Sequence, residues 1–276
     1  MKVLSNEILT AVIKKRQTNS HKGDYGRLIL IGGDAHYGGA IILAASAAVY
    51  SGTGLTTVAC DPLNWSPLHA HLPEAMVLDF KQNIDQSIVN ADVIVIGPGL
   101  GLSTMSLQIL KTVLKEINQN QILIIDGSAI SLFAEEKLKL KFPENTIFTP
   151  HEMELQRLTG IKIGNQSVEK IQNYVNQNGV IIVAKSHETK VYGPLVEPFL
   201  LKVGSPAQAT GGMGDTLAGM IGSFLGQFRQ ASLLECVAAA TYLHSFIAEN
   251  LSKDNYVVLP SLIISRIPKF MKLFEE

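Results

Sequence analysis

Short apolar runs that end in glycine recur along this chain and alternate with segments in which apolar residues have helical spacing. Arg27–Ile31 ends at Gly32-Gly33, and residues 91–96 end at Gly97. A short run that is apolar on both faces and is stopped by glycine is typical of an inner strand of a parallel sheet. The alternation of such strands with helices predicts an α/β protein with a mainly parallel sheet between layers of helices.

The same pattern gives an expected element order. Strands are predicted at 27–31, 55–60, 91–96, 121–125, 147–150 and 180–184, followed by a hairpin at 189–192 and 198–203. Helices are predicted near the N-terminus and at 40–50, 103–117, 151–159, 167–178, 215–225, 233–250 and 260–274. Because no linker or low-complexity segment divides the chain, we expect residues 1–276 to form one domain.

Residues 61–90 show no regular pattern. His69 and His71 would share a face if this segment were extended. With no third ligand at suitable spacing nearby, we interpret them as surface or packing histidines and not as a metal pair.

The amino-acid composition argues against several classes of protein. The formal net charge is −1 and basic residues are interspersed with acidic ones, which argues against a nucleic-acid or membrane-surface binder. No apolar run is long enough to span a membrane, and the N-terminal residues lack the apolar core of a signal peptide. Cys60 and Cys236 have no metal-ligand spacing, so we expect reduced thiols in a cytoplasmic protein.

The segment Gly211-Gly212-Met213-Gly214-Asp215 is the most distinctive local feature. Apolar residues at helical spacing follow it, so a helix is predicted to begin at Gly214 or Asp215. A glycine-rich turn that leads into a helix N-terminus is a favourable site for phosphate, because exposed N–H groups and the helix dipole both attract anions. From this segment alone, Asp215 is equally consistent with a helix cap and with a catalytic carboxylate.

Glycine or polar residues follow directly after several predicted strands. In parallel sheets the carboxyl ends of the strands form one edge, where ligands bind. We therefore expect one rim that unites the glycine turn with Gly32-Gly33, the Gly97–Gly101 loop, Asp126, Thr149-Pro150-His151 and Lys185.

Several kinds of chemistry are conceivable at this rim. The chain has neither a nucleophile elbow nor a P-loop. Gly97-x-Gly99-x-Gly101 follows a strand, but its spacing departs from the dinucleotide-binding pattern, so a Rossmann-type dehydrogenase is a minor alternative. We favour phosphoryl transfer, in which the glycine turn holds the phosphoryl group, Asp215 takes a proton from the acceptor hydroxyl and Mg²⁺ offsets the charge.

Five motifs in order resemble one family. They are Gly32-Gly33-x4-Gly38-Gly39-Ala40, Gly97-Pro98-Gly99-Leu100-Gly101, Thr149-Pro150-His151-x2-Glu154-x2-Arg157-Leu158, Lys185-x3-Thr189 and Ala209-Thr210-Gly211-Gly212-Met213-Gly214-Asp215-x-Leu217-Ala218-Gly219. Together they resemble the ADP/ATP-dependent NAD(P)H-hydrate dehydratases of the ribokinase-like superfamily, in the stand-alone bacterial form. The resemblance covers residues 25 to 270 and implies a ribokinase-like three-layer α/β/α sandwich.

The resemblance also implies a repair reaction and its site residues. NADH or NADPH hydrated at C6 of the nicotinamide ring (NADHX or NADPHX) would be dehydrated with ADP or ATP as co-substrate, and Asp215 would be the catalytic base. Ala40, Gly99, Gly101, His151 and Asp215 would contact the hydrated cofactor. The nucleotide would be bound by Lys185, Ser186, His187, Glu188, Thr189, Gly211, Gly212 and Gly214.

Other implied properties concern metal and partners. Asp126 and Glu154 are candidates to position Mg²⁺ through water, and relatives suggest a homotetramer that works with a separate NAD(P)HX epimerase. Two alternatives stay open: a small-molecule kinase of the same superfamily, and a nucleotide-sensing protein without turnover. Individual residues also have structural interpretations: Asp126 as a helix cap, Lys185 as an exposed strand end, and Glu154 as the partner of Arg157 on a helix surface.

Overall fold

The computed structural model describes residues 1–276 and contains one ten-stranded sheet. The strands are β1 (Lys2–Val3), β2 (Arg27–Ile31), β3 (Leu55–Cys60), β4 (Met76–Asp79), β5 (Val93–Ile96), β6 (Ile122–Ile125), β7 (Thr146–Phe148), β8 (Ile181–Ala184), β9 (Lys190–Tyr192) and β10 (Phe199–Leu200). Their spatial order is β1-β10-β9-β8-β7-β6-β5-β2-β3-β4. Only the two pairs that β9 makes, with β8 and β10, are antiparallel, which confirms the mainly parallel sheet.

Eleven α-helices accompany the sheet. They are α1 (Glu7–Val12), α2 (Gly38–Tyr50), α3 (Trp65–His71), α4 (Asp85–Val89), α5 (Thr104–Glu116), α6 (Gly127–Glu135), α7 (Glu152–Thr159), α8 (Val168–Asn178), α9 (Met213–Gln227), α10 (Leu233–Ser252) and α11 (Pro260–Phe274). None of them combines the length and the apolar character needed to cross a lipid bilayer.

Alternate residues of the inner strands enter two separate cores. In β2, Leu28 and Leu30 join the core beneath α2, α9, α10 and α11, whereas Ile29 and Ile31 join the core beneath α4 to α8. Successive side chains of a strand point to opposite faces, so a sheet covered on both sides needs apolar residues at every position. The continuous apolar runs therefore reflect burial on both faces, and the three layers predicted from them are present.

The tightest helix contact lies between α2 and α9. A methyl group on Gly219 would come within 2.0 Å of the Ala44 carbonyl oxygen, so only glycine permits this crossing. Leu43 packs in the same way on Gly212, where a methyl group would lie 2.4 Å from Leu43 Cδ1. The small-residue face of α2 is thus covered by α9.

Residues 61–90 are more regular than the sequence suggested, since they contain α3, β4 and α4. His69 and His71 are both in α3, and His69 Nε2 is 3.1 Å from the carbonyl oxygen of Ala75. Residues two apart on a helix do not face the same direction, so the two histidines do not form a pair. These short elements were missed because a five-residue helix and a four-residue edge strand carry too few apolar positions to show a period.

Candidate active site

The glycine and polar residues that follow the strands lie along one rim, as predicted. The loops after β2 and β5 are joined by Gly33 N to Pro98 O (2.9 Å) and by Asp34 N to Gly99 O (2.7 Å). After β6, Asp126 N donates to the Ile96 carbonyl at 3.0 Å. After β8, Lys185 N donates to the Pro150 carbonyl at 2.9 Å, so the ends of all these strands are in register.

Three buried groups meet beyond β6, β7 and β8. The Lys185 ammonium lies 3.0 Å from Asp126 Oδ1, and the Thr149 hydroxyl donates to the same oxygen at 2.5 Å. The Asp126 carboxylate is 3 % exposed and the Lys185 side chain 21 %. Burial lowers the pKa of Lys185, but the carboxylates of Asp126, Glu154 and Asp215 outweigh it and hold that pKa above its usual value. The ammonium is therefore charged at neutral pH.

This arrangement decides between the structural and the functional interpretations of Asp126 and Lys185. Asp126 stands in the N-cap position of α6, but its side chain makes no capping hydrogen bond and turns instead to Thr149 and Lys185. Lys185 is a largely buried, paired residue and not an exposed strand end. Thr149 follows a buried strand in the same position as Asp126 and Lys185, and this pattern placed it on the expected rim without assigning it a role.

The glycine turn leads directly into α9, which begins earlier than predicted. Met213 is its first residue and Gly212 is its N-cap, with φ +92°, a conformation that favours glycine. Asp215 is consequently the third helical residue, so the helix-cap interpretation of this carboxylate is wrong. A methyl group at Gly214 would lie 3.0 Å from Lys185 Nζ, whereas one at Gly211 would meet open space.

The electrostatics of Asp215 differ from those of a surface carboxylate. Burial raises its pKa to about 6; the charge of Asp126 also raises it and the charge of Lys185 lowers it. A carboxylate with a pKa just below neutrality is ionised at pH 7 and still basic enough to accept a proton. The first turn of α9 therefore places exposed backbone N–H groups, an ammonium and a basic carboxylate together.

His151 and Glu154 form a second pair at the start of α7. His151 Nδ1 accepts from the backbone N–H groups of Met153 and Glu154, and Glu154 Oε2 accepts from His151 N at 2.9 Å. The remaining ring nitrogen, Nε2, lies 3.3 Å from Glu154 Oε1. The expected surface pair of Glu154 with Arg157 is absent, because the Arg157 guanidinium donates to Ser131 Oγ at 3.0 Å instead.

The protonation states of this pair follow from burial. It raises the pKa of Glu154 to about 7. Burial, followed by the charge of Lys185, lowers the pKa of His151. His151 is therefore a neutral imidazole at pH 7 whose Nε2 carries the proton, since Nδ1 accepts from the backbone.

Ala40, Gly99 and Gly101 form a separate group on the neighbouring loops. Gly99 has φ +61°, and a methyl group there would lie 2.3 Å from the Tyr37 carbonyl oxygen and 3.0 Å from Ala40 Cβ. Gly101 has φ +78°, with Asp34 Oδ2 2.7 Å from the position of its missing methyl group. These loops are thus pressed together without side chains between them, which leaves backbone exposed to a ligand.

Buried Asn64 holds the first of these loops, since its Nδ2 donates to the carbonyl oxygens of Gly33 and Asp34 at 2.8 and 3.1 Å. It lies within the segment that had no readable pattern. Asp34 and Asn64 are therefore structural residues of the rim that sequence reasoning missed.

The remaining predicted residues form the turn between β8 and β9. Thr189 Oγ1 donates to the Ser186 carbonyl at 3.0 Å, and Glu188 N donates to Ser186 Oγ at 3.1 Å. His187 and Glu188 are exposed. The turn follows Lys185 directly, but the hydrogen bonds of the Ser186 and Thr189 side chains stay within it, so no side chain of these two residues ties it to the rim.

Comparison with known proteins shows which proteins this chain resembles. Residues 28–269 match the family model described as NAD(P)H-hydrate dehydratase. A protein from Lactococcus lactis named ADP-dependent (S)-NAD(P)H-hydrate dehydratase is 60 % identical over 274 residues, covering 99 % of this chain and 98 % of its own length.

Two solved structures are similar to the whole chain. A ribokinase-like superfamily protein from Enterococcus faecalis is 47 % identical with a TM-score of 0.97, over 100 % of this chain and 96 % of its own. An ADP/ATP-dependent NAD(P)H-hydrate dehydratase from Bacillus subtilis, co-crystallised with ATP and Mg²⁺, is 28 % identical with a TM-score of 0.87, over 99 % of each chain. The ribokinase-like fold expected from the motifs is thereby confirmed.

Proposed function

This chain belongs to the NAD(P)H-hydrate dehydratase family and is an enzyme of the hydro-lyase type, and we propose that its rim returns NADHX and NADPHX to NADH and NADPH at the expense of ADP or ATP. One observation carries the proposal. The Lys185 ammonium stands beside Gly214 on the first turn of α9, next to Asp215, a carboxylate whose pKa is raised to about 6. Cation, N–H donors and base are the three parts that phosphoryl transfer to a hydroxyl requires.

The first step joins the two substrates. Asp215 takes the proton of the C6 hydroxyl, and that oxygen attacks the terminal phosphorus of the nucleotide. The bond between that phosphorus and the bridging oxygen breaks, so AMP leaves from ADP, or ADP from ATP. The Gly211–Gly214 amides and Lys185 stabilise the charge on the phosphoryl oxygens. Proton removal by such a base contributes about 10²–10⁴-fold to the rate.

The second step is an elimination. The lone pair of the ring nitrogen expels phosphate from C6, and loss of a C5 proton restores the C5–C6 double bond. Phosphorylation therefore converts hydroxide, a poor leaving group, into phosphate. The overall change is NADHX plus ADP to NADH, AMP and phosphate.

We assign the two substrates to the two groups of residues at the rim. Ala40, Gly99 and Gly101 present a loop surface without side chains, which suits a flat ring, and the Nε2 proton of His151 suits a carbonyl or hydroxyl oxygen of the same ligand. Lys185 and the 186–189 turn follow β8, which lies three places from β5 and its Gly97–Gly101 loop in the sheet order, and together with Gly211–Gly214 they suit the nucleotide. In this assignment Asp215 would act between the hydroxyl and the phosphoryl group.

Mg²⁺ fits this site only together with the nucleotide. No three His, Cys, Asp or Glu side chains are grouped as a protein-only cage. Asp126 keeps Oδ2 free of protein partners, and Mg²⁺ is commonly held by one or two carboxylates together with phosphate oxygens and water. We propose that Asp126 and Glu154 hold such an ion through water; when bound, it would neutralise phosphate charge.

The test is direct. The purified protein is incubated with NADHX, Mg²⁺ and either ADP or ATP, while NADH absorbance and free phosphate are followed. Equal amounts of NADH and phosphate are expected, and failure to recover NADH with both nucleotides would refute the proposal. A phosphate ester that accumulates with an alcohol substrate would instead indicate a kinase.

Further properties are proposed with this function. A single domain over 1–276 is supported by the one continuous sheet, and a cytoplasmic location by the two free, buried cysteines. A base on one side of the ring reaches only one C6 epimer, so a separate epimerase is a natural partner. A homo-oligomer, a tetramer by family resemblance, is supported by exposed apolar residues between α10 and α11 and on the first turn of α11, which are Tyr256, Val257, Leu259 and Leu262.

A further inference from the structure

Asp126 Oδ1 receives two hydrogen bonds from neighbouring strand ends. Lys185 reaches it from β8 and Thr149 from β7, the strand between β6 and β8. The Thr149 side chain is fully buried and cannot touch a ligand by itself. Its hydroxyl has one hydrogen to donate, and it donates that hydrogen to the carboxylate at 2.5 Å.

The carboxylate needs such a partner to hold its orientation. An aspartate side chain rotates easily about its last torsion, which is broad and roughly two-fold. The Lys185 ammonium alone does not fix it, because a flexible point charge can follow the carboxylate as it turns. Thr149 and Lys185 both donate to Asp126 Oδ1 from the ends of neighbouring strands. Together they fix the orientation of the carboxylate and the position of the ammonium.

The position of the ammonium matters because of what lies beside it. Lys185 Nζ stands 3.0 Å from the place that a methyl group of Gly214 would occupy, above the first turn of α9. If the carboxylate turned, the ammonium would move away from the amides with which it shares the phosphoryl group. Preorganised charges stabilise a developing charge because they need not move during the reaction.

We propose that Thr149 is a positioning residue of the nucleotide site, which acts on bound phosphate through Asp126 and Lys185. The inference rests on the proposed function for the identity of the ligand. Thr149 never contacts the substrates. It keeps Asp126 Oδ1 beneath the ammonium and leaves Oδ2 directed elsewhere.

The test measures ADP binding by calorimetry in the absence of NADHX, in the series Thr149→Ser, Thr149→Cys and Thr149→Val. Serine keeps the hydroxyl, cysteine offers a weak donor and valine has the shape of threonine without a donor. ADP affinity should be near that of the unmodified protein in the serine variant and on the order of tenfold weaker in the valine variant, with cysteine between them. The KM for NADHX should stay unchanged.

Thr146 supplies a matched control. It is the first residue of β7, the strand that Thr149 follows, is 2 % exposed and donates to the Phe142 carbonyl at 2.9 Å, away from the rim. Thr146→Val should lower thermal stability without changing ADP affinity. If Thr149→Val does the same, Thr149 has only a structural role. The cysteine variant decides the matter should the valine variant not fold.

A double-mutant cycle tests whether Thr149 influences ADP binding through Lys185. In a Lys185→Met background there is no ammonium to position, so Thr149→Val should weaken ADP binding no further. An equal loss in both backgrounds would overturn the proposal. Because calorimetry reports nucleotide binding alone, these results are independent of whether NADHX is the acceptor, which the NADH assay decides separately.

Discussion

Lys185 and Gly214 approach each other so closely that the ammonium occupies the space a side chain at residue 214 would need, 3.0 Å from the position of its β-carbon. The contact joins the end of β8 to the first turn of α9. It gives a reason for glycine at residue 214, since a side chain there would displace the ammonium, although Gly214 has an ordinary helical backbone. The ammonium is also paired with Asp126, so the turn that we propose to bind phosphate has a cation fixed beside it.

Replacing this cation should weaken nucleotide binding. Lys185→Met keeps the length of the side chain and leaves Asp126 buried without its counter-ion, which removes attraction for phosphate and adds a repulsive carboxylate. We expect ADP affinity to fall by more than about tenfold. Calorimetry measures it, with Lys170→Met, an exposed lysine of α8, as the control. Unchanged ADP affinity would exclude Lys185 from the nucleotide site.

Asp215→Asn should abolish the reaction without harming the fold. We expect kcat to fall by about 10²–10⁴-fold while ADP binding persists, since the amide cannot accept the proton. A carboxyl pKa that is raised in the folded protein makes the ionised group unfavourable at neutral pH. Stability from this group is present at low pH and is lost as the pH rises from 3.8 through about 6. The variant should therefore melt no lower than the unmodified protein at pH 8; full activity would rule out the base.

The rate should depend on pH through the same carboxylate. Because the pKa of Asp215 is about 6, kcat/KM for NADHX should be level near pH 8 and fall about tenfold per unit well below pH 6. Glu154, with a pKa of about 7, should loosen its hold on His151 in the same acidic range. Initial rates of phosphate release between pH 5 and 8.5 measure the profile. A rate that stays constant down to pH 5 would be incompatible with this assignment.

The loop after β5 should not tolerate a side chain at Gly99. Alanine there would be strained at φ +61° and would collide with the Tyr37 carbonyl oxygen and Ala40 Cβ. We expect Gly99→Ala to raise the KM for NADHX several-fold or more, with little change in ADP affinity. Gly164→Ala, at an exposed position with open space around it, is the control. A variant that affected ADP and NADHX equally would argue against two separate groups.

Most of the fold was readable from the chain because its core strands are apolar on both faces. Residues 27–31 and 55–60 were predicted to the residue, and the helices of the C-terminal half to within two residues at each end. β1 and the 61–90 segment escaped prediction for the same physical reason. Their short elements lie at the sheet margins, where packing against neighbours decides the structure and local pattern does not.

The site was predictable in its members but not in its contacts. The positions of Asp126 and Lys185, each directly after a predicted parallel strand, indicated that they would share a rim with the glycine turn. Sequence could not show that Thr149 and Lys185 would converge on one carboxylate oxygen, because that depends on the spatial order β6-β7-β8. The start of α9 was misplaced because glycines lack the propensity that marks a helix, although Gly212 takes the backbone conformation that opens it.

The crossing of α2 and α9 limits how this protein can change. Leu43 lies one turn after Ala40 and packs on Gly212, so the helix that begins at the loops proposed to bind the hydrated cofactor also supports the turn proposed to bind the nucleotide. A mutation that enlarges residue 212 or 219 would therefore push on both sites at once. Exchange of exposed loop residues can change substrate preference without touching this contact. The distance between the two proposed binding sites, in contrast, is set by the packing of α2 on α9.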